Sequence, residues 1–170
     1  MRTLYLIGFM GSGKSTVGQE LSKLLGIPCI DTDHMIENVY KVKIAEIFQN
    51  KGESVFRKFE TEILKQTPVH HHIVSTGGGI VETEENITFM KANGNIVFLK
   101  TSLNEIEMRL SNDRSRPLWN KNSYEKQRLF DRRNKLYKES ADIIIHTDDK
   151  NSREIAADIK EQAGLQSYQE

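Results

Sequence analysis

One cysteine in 170 residues, Cys29, leaves no partner for an internal disulfide. Its neighbours Ile27, Pro28 and Ile30 mark it as a buried strand residue rather than a reactive thiol, and a reducing, intracellular setting is expected. Net charge is equally scarce. The chain holds 24 basic and 24 acidic residues, so no broad field draws it to nucleic acid or to an anionic membrane. No apolar run approaches the roughly 20 residues that crossing a bilayer requires. Met1 to Leu4 lead straight into the first strand, without the apolar core and cleavage site of a signal peptide, which makes the cytoplasm the expected location. No repeat, low-complexity block or Pro/Gly/Ser-rich linker divides the sequence, and its length suffices for a core without metals or disulfides. One domain over residues 1–170 is expected and, with balanced charge and no conspicuous apolar surface run, a monomer.

What is present begins with Gly8-Phe9-Met10-Gly11-Ser12-Gly13-Lys14-Ser15-Thr16. It follows the apolar run Leu4-Tyr5-Leu6-Ile7 and fits the pattern G-x-x-x-x-G-K-[ST] of a phosphate-binding loop. Backbone N–H groups in such a loop point into one concavity, and the helix that follows adds its positive dipole end. Lys14 would neutralise charge on the β- and γ-phosphates, and the Ser15 hydroxyl would bind Mg²⁺.

Short apolar runs at 4–7, 27–30, 73–75, 96–99 and 143–145 have the composition of buried parallel strands. Helical spacing lies between them, at Val17, Leu21, Leu24 and Leu25, at Ile44, Ile47 and Phe48, and at Phe56, Phe59, Ile63 and Leu64, with Gly52 dividing the last two sets. Ser102-Leu103-Asn104-Glu105 reads as a capping box, and Ser152 as the cap of the last helix. Alternating strands and helices predict an α/β fold, an open parallel sheet covered on both faces, with ligands at the carboxyl ends of its strands.

The residues after each strand therefore carry the candidate chemistry. Asp31 and Asp33 flank Thr32, so an extended backbone would point both carboxylates to one side, one toward a metal's water and one toward a second substrate; helix capping is the competing explanation. Val97-Phe98-Leu99 ends in Lys100-Thr101 and supplies no Walker B aspartate. Thr76-Gly77-Gly78-Gly79 offers bare backbone for close approach by a ligand, or simply a tight turn. Arg57 and Glu60 share a helical face, either as a surface ion pair or as a guanidinium held toward a carboxylate ligand. Residues 111–122 form a polar loop carrying Arg114, Arg116 and a Pro117-Leu118-Trp119 anchor, read as a lid or as a solvated loop. The run from Lys126 to Lys138 mixes both signs and reads mainly as one exposed helix face, and His70-His71-His72 as a solvated turn.

The combination resembles the shikimate kinases from about Leu4 to about Asp142. It matches in order the loop Gly8 to Gly18, Asp31-Thr32-Asp33, Phe56-Arg57 with Glu60, Thr76 to Gly79, Arg116-Pro117-Leu118, and Arg133 with Tyr137 and Ala141-Asp142. The resemblance implies a three-layer P-loop kinase fold with a five-stranded parallel sheet, and transfer of the γ-phosphoryl group of ATP to the 3-hydroxyl of shikimate on the way to chorismate and the aromatic amino acids. By this resemblance Gly11, Ser12, Gly13, Lys14, Ser15 and Thr16 hold the nucleotide phosphates, Ser15 ligates Mg²⁺, and Asp31 supports the metal's water shell. Asp33 binds shikimate hydroxyls and orients the attacking oxygen. Arg57 and Arg133 clamp the carboxylate, Glu60 positions Arg57, and Gly77, Gly78 and Gly79 present backbone to the ring. Arg133 is chosen over Arg132 because it stands four residues before Tyr137. The helical segment 32–62 binds substrate, Arg116 is the lid arginine, and Arg109 lies against adenine. Many family members carry Arg or Asn followed by Pro after the last strand, where this chain reads Asp148-Asp149-Lys150-Asn151-Ser152. The alternatives are a gluconate-kinase-like sugar acid kinase and a nucleotide-binding regulatory module without turnover.

Overall fold

A computed structural model describes residues 1–111 and 122–166. Its strands are β1 (Thr3–Ile7), β2 (Cys29–Asp31), β3 (Ile73–Ser75), β4 (Gly94–Lys100) and β5 (Ile143–His146). They form one parallel sheet in the order β2-β3-β1-β4-β5. The described helices are α1 (Lys14–Leu25), α2 (Thr32–Tyr40), α3 (Ile44–Lys51), α4 (Glu53–Lys65), α5 (Glu84–Asn93), α6 (Leu103–Leu110), α7 (Ser123–Ser140) and α8 (Ser152–Gln162).

Successive strand residues point to opposite faces, so each face collects its own core. Leu4 and Leu6 pack with Val17 and Leu21 of α1 and with Ile155 and Ile159 of α8. Tyr5 and Ile7 pack on the other face with Met90 of α5, Ile106 of α6, and Leu129 and Tyr137 of α7. Burial on both faces is why the inner strands β3, β1 and β4 read as continuous apolar runs. The helices after β2 gather a separate cluster of Ile36, Ile47, Phe56 and Ile63, and Gly52 divides α3 from α4 as its position suggests. Among the described residues no helix is long and apolar enough to cross a membrane.

Register positions the site. Asp31 pairs with Ser75, and Ser75 with Leu6, so the carboxyl ends of β2, β3 and β1 finish level. The loops that leave them stand side by side.

Several local expectations shift. The helical spacings above include no run over α5, whose buried face includes the polar Asn86; its amide donates to the Ile80 carbonyl at 3.0 Å, so the apolar stripe is broken. Cys29 is half-buried at the start of β2, and burial, with the Asp31 charge, pushes its thiol up to about 11, consistent with an inert sulfur. The histidine turn is anchored rather than simply solvated: the N-terminal amine lies 3.0 Å from His71 Nε2, and Arg2 bridges His70.

Two caps also differ. Ser102 Oγ accepts from Glu105 N, but the reciprocal half of the box is absent because Asp148 Oδ1 already takes the Ser102 N–H at 2.9 Å. The cap of α8 is Asn151, not Ser152. Its side chain accepts from Arg153 N and Glu154 N while Glu154 accepts from Asn151 N at 2.7 Å, a complete box. Asn151→Ala is therefore expected to cost about 1 kcal/mol in urea unfolding, and Ser152→Ala less than about 0.5 kcal/mol; equal losses would contradict the assignment.

Candidate active site

The loop after β1 turns sharply into α1. Gly13, the residue before that helix, has φ 89°, a left-handed conformation that a side chain would strain, and it leaves the first N–H groups of α1 facing an open concavity. The cavity there, about 310 Å³, is lined by Gly11, Gly13, Lys14, Ser15, Thr16, Asp31, Asp33, His34, Thr76 and Gly78. Lys14 is buried, with its ammonium donating to the carbonyls of Gly8 at 2.8 Å and Phe9 at 3.1 Å. Ser12 is buried and its hydroxyl has no protein partner. Ser15 Oγ donates to Asp31 Oδ2 at 2.5 Å and lies 3.3 Å from Ser75 Oγ. Arg109, held by Glu105 at 2.8 Å, reaches the rim of the loop, where it donates to Gly11 O at 3.3 Å.

Asp31 is both a cap and a site residue. Its Oδ1 accepts from Asp33 N and His34 N, which starts α2, while its Oδ2 takes the Ser15 hydroxyl. Asp33 is accordingly in the first turn of a helix rather than on extended backbone, and α2, not strand alternation, aims it.

A second cavity of about 530 Å³ adjoins the first. Asp33, His34 and Gly78 line both. The larger cleft holds Arg57, Glu60, Arg133 and all three glycines of the loop after β3, with an aromatic wall of Phe48 and Phe56 whose ring centroids are 4.7 Å apart. Phe59, the other aromatic of this helical face, packs against the Ile36, Ile47, Phe56 and Ile63 cluster and stacks on Tyr40.

None of these glycines needs positive φ. What they supply is room. A Cβ on Gly77 would stand 2.7 Å from Glu60 Oε1 and 2.9 Å from Asp33 Oδ1, and one on Gly79 would stand 2.3 Å from both terminal nitrogens of Arg57. Side chains at Gly77 and Gly79 would force the charged groups of Glu60, Asp33 and Arg57 to move.

Arg57 donates to Glu60 Oε2 at 2.7 Å and to Glu53 Oε1 at 3.1 Å; burial pulls its pKa down, but the two carboxylates outweigh this and hold it above its ordinary value. Glu60 has 0% exposure, so its pair with Arg57 is not the surface ion pair that spacing alone allowed. Burial pushes Glu60 up to about 7, against the pull of Arg57 and with the help of the Asp33 charge.

Arg133 is 1% exposed, on a helix otherwise dominated by exposed charge. Its Nε donates to Glu82 Oε1 at 2.8 Å, and its guanidinium carbon lies 5.9 Å from the centre of the Phe9 ring. Arg57 Nε and Arg133 Nη2 are buried without protein partners. Tyr137, one turn along α7, donates its hydroxyl to the Gly78 carbonyl and so ties that helix to the glycine loop. Burial raises the Tyr137 pKa, consistent with a hydroxyl that stays protonated.

Sequence reasoning brought Lys14, Ser15, Asp31, Asp33, Arg57, Glu60, the glycines and Arg133 to one place, with Arg109 at the edge. It missed Glu82, which carries no local signal because its partners lie about fifty residues away, and His34, which follows the aspartates on the same helix. Residues 112–121, with Arg116 and nearly all of the expected lid, lie outside the described residues.

The chain is 41% identical to the shikimate kinase of Bacillus cereus (strain G9842) over 166 residues, 97% of this chain and 100% of that protein. It is 43% identical to that of Persephonella marina over 160 residues, 94% of this chain and 97% of the relative. The shikimate kinase of Acinetobacter baumannii, solved in complex with shikimate, superposes with a TM-score of 0.91 at 34% identity, over 96% of this chain and 93% of that one. The enzyme from Aquifex aeolicus gives 0.84 at 38% identity, over 95% and 96%. A deoxyadenosine kinase from M. mycoides, at 17% identity and a TM-score of 0.61, shares the fold. The family model for shikimate kinase matches residues 10–163, and the chain belongs to that family.

Proposed function

We propose that the protein transfers the γ-phosphoryl group of ATP to the 3-hydroxyl of shikimate, giving shikimate 3-phosphate and ADP. The observation that carries this is the junction of the two cavities at Asp33, His34 and Gly78: a phosphate loop opens there onto a cleft that offers a buried arginine, a half-buried one and a carboxylate. A small hydroxylated acid asks for those groups.

The loop residues Gly11 to Thr16 hold the nucleotide phosphates through backbone N–H groups, with the buried Ser12 hydroxyl as a further donor. Lys14 exchanges its loop carbonyls for phosphate oxygens. Arg109 packs against the adenine side. The donor set for a metal is one hydroxyl and one carboxylate, Ser15 and Asp31, already in contact. Among the described residues no three acidic, histidine or cysteine side chains gather into a metal cage, and a hydroxyl with a neighbouring carboxylate suits Mg²⁺ that keeps phosphate and water ligands. When bound, Mg²⁺ offsets charge on the transferring phosphoryl group.

In the acceptor half, the free guanidinium N–H groups of Arg57 and Arg133 clamp the shikimate carboxylate, with Glu60 holding Arg57. Gly77 to Gly79 let the ring lie against backbone. Asp33 accepts the hydrogen bond of the 3-hydroxyl and orients its oxygen toward the γ-phosphorus. The new O–P bond forms there, the bond from the γ-phosphorus to the bridging oxygen breaks, and the hydroxyl proton passes to Asp33 as charge develops. The segment 32–62 thus acts as the acceptor-binding unit within one kinase domain, Arg116 as the lid arginine, and the cytoplasm as the setting. The protein acts as a monomer, without nucleic acid or membrane.

ADP release from ATP should be stimulated by shikimate and not by gluconate; binding of ATP without shikimate stimulation would sink the proposal. Asp33→Asn is expected to lower turnover by about a hundredfold or more while ATP affinity changes little, and comparable losses in both would remove the role given to Asp33. Arg57→Ala and Arg133→Ala should each raise the KM for shikimate at least about tenfold with that for ATP nearly intact.

Glu60 generates a pH prediction. A carboxyl whose folded-state pKa, about 7, exceeds its reference value of 4.5 binds its proton more tightly when folded. Its stabilising contribution is complete below the lower value and declines as pH rises through this window. Glu60→Gln should therefore flatten the fall in stability measured by urea unfolding across that window; an unchanged slope would show that Glu60 does not titrate there.

A further inference from the structure

Arg133 does not reach the acceptor cleft unaided. It leaves an exposed helix face, is 1% exposed itself, and is flanked by Arg132, which is 60% exposed. Both guanidinium groups donate to the same oxygen, Glu82 Oε1, each at 2.8 Å. Glu82 ends the short 3-10 helix Ile80–Glu82 that follows the glycine loop directly. Burial alone would raise its carboxyl, but Arg133 and Arg132 outweigh that and hold it ionised, below its ordinary range.

The contact has a direction. Glu82 engages Arg133 through Nε, on the inner edge of the guanidinium, which leaves both terminal nitrogens for the cleft. One of them, Nη1, would lie 3.5 Å from a Cβ placed on Gly78, and the other, Nη2, is buried with no protein partner. A guanidinium fixed at its Nε and free at its terminal pair is arranged for two-point recognition of a carboxylate. Arg57 is built in the opposite sense: Glu60 and Glu53 take its two terminal nitrogens and leave Nε free. The two arginines of the cleft are therefore inequivalent: both terminal nitrogens of Arg57 already donate to carboxylates, whereas Glu82 leaves those of Arg133 unengaged.

We propose that Glu82 is a positioning residue for the phosphoryl acceptor, anchoring Arg133 by its Nε so that the terminal guanidinium edge meets the substrate carboxylate. This rests on the reading of Arg133 as part of the carboxylate clamp. Arg132 shares the anchor from the solvent side and does not face the cleft, so its own guanidinium is dispensable. Because Glu82 belongs to the segment that carries Gly77 to Gly79, backbone that meets the ring and cation that meets the carboxylate are fixed to each other.

The test is steady-state kinetics on Glu82→Gln, Glu82→Asp, Arg132→Ala and Arg133→Ala, with shikimate and with its methyl ester, which lacks the anionic carboxylate. Glu82→Gln should raise the KM for shikimate about tenfold, the equivalent of one charged hydrogen bond, with kcat and the KM for ATP changed less than about threefold. Glu82→Asp, which keeps the charge, should recover part of this, and Arg132→Ala should stay near wild type. With the methyl ester the difference between wild type and Glu82→Gln should vanish, because there is no carboxylate to align. A wild-type KM for shikimate in Glu82→Gln overturns the proposal, as do equal penalties with acid and ester or parallel losses of ATP and shikimate binding, each of which marks a general brace. Arg133→Ala separates the two levels. A normal KM there removes the clamp and this role together, whereas a raised KM there with normal behaviour in Glu82→Gln removes this role alone.

Discussion

Bare backbone that leaves room for charged side chains is what the acceptor half depends on. The loop from Thr76 to Gly79 leaves β3 between the phosphate loop and α2, and charged side chains from three helices press against it: Asp33 from α2, Arg57 and Glu60 from α4, and Arg133 from α7. Burying so many charges carries a desolvation penalty of several kcal/mol per ion unless each finds a close partner. The partners are present, Arg57 with Glu60 and Arg133 with Glu82, and the Arg57–Glu60 pair occupies space that Cβ atoms on Gly77 and Gly79 would contest. A methyl group at Gly79 would overlap the Arg57 guanidinium itself. The glycines thus serve the electrostatics of the cleft before they serve any ligand.

The two halves of the site solve opposite problems as a result. Phosphate binding in the loop after β1 is assigned largely to main chain, whose N–H groups neither titrate nor lose rotamer freedom, with Lys14 held in reserve on the Gly8 and Phe9 carbonyls. The acceptor half is built from long side chains, each of which has to be held. Glu60, Glu82 and Tyr137 do this holding, and two of the three contact the arginines directly. Held in this way the side chains are preorganised, and Glu60, the carboxyl that burial raises, has a partner and a neighbour that pull it in opposite directions.

How much of this was legible in the sequence follows from the range of the interaction. The phosphate loop, the five strands and the pairing of Arg57 with Glu60 are local patterns, and each is where its spacing places it. Family motifs added the choice of Arg133 over Arg132, which periodicity could not make on a helix so rich in charge. Local pattern failed where a distant partner decided the outcome. Ser102 and Glu105 have the spacing of a capping box, but Asp148 occupies the Ser102 N–H and frees Glu105 to hold Arg109 against the phosphate loop. Glu82 carries no local signal because both its arginines lie beyond a strand and two helices. At α5 a buried Asn86 bonded to the Ile80 carbonyl interrupts the apolar stripe that would have announced the helix.

Asp31 argues against treating capping and chemistry as rivals. As a carboxylate at a strand end it was open to either explanation, and the geometry supports both at once through different oxygens: Oδ1 takes the first N–H groups of α2, and Oδ2 meets Ser15. The first contact fixes the second. A carboxylate with one oxygen locked by two backbone donors loses the rotational freedom about its terminal torsion, so its other oxygen is aimed without further support. The same two N–H groups start the helix that carries Asp33 to the junction of the cavities. For the metal-shell role proposed here, a better helix cap would therefore be a better site residue, and removing the cap would disturb Ser15 and Asp33 together even where α2 stayed folded.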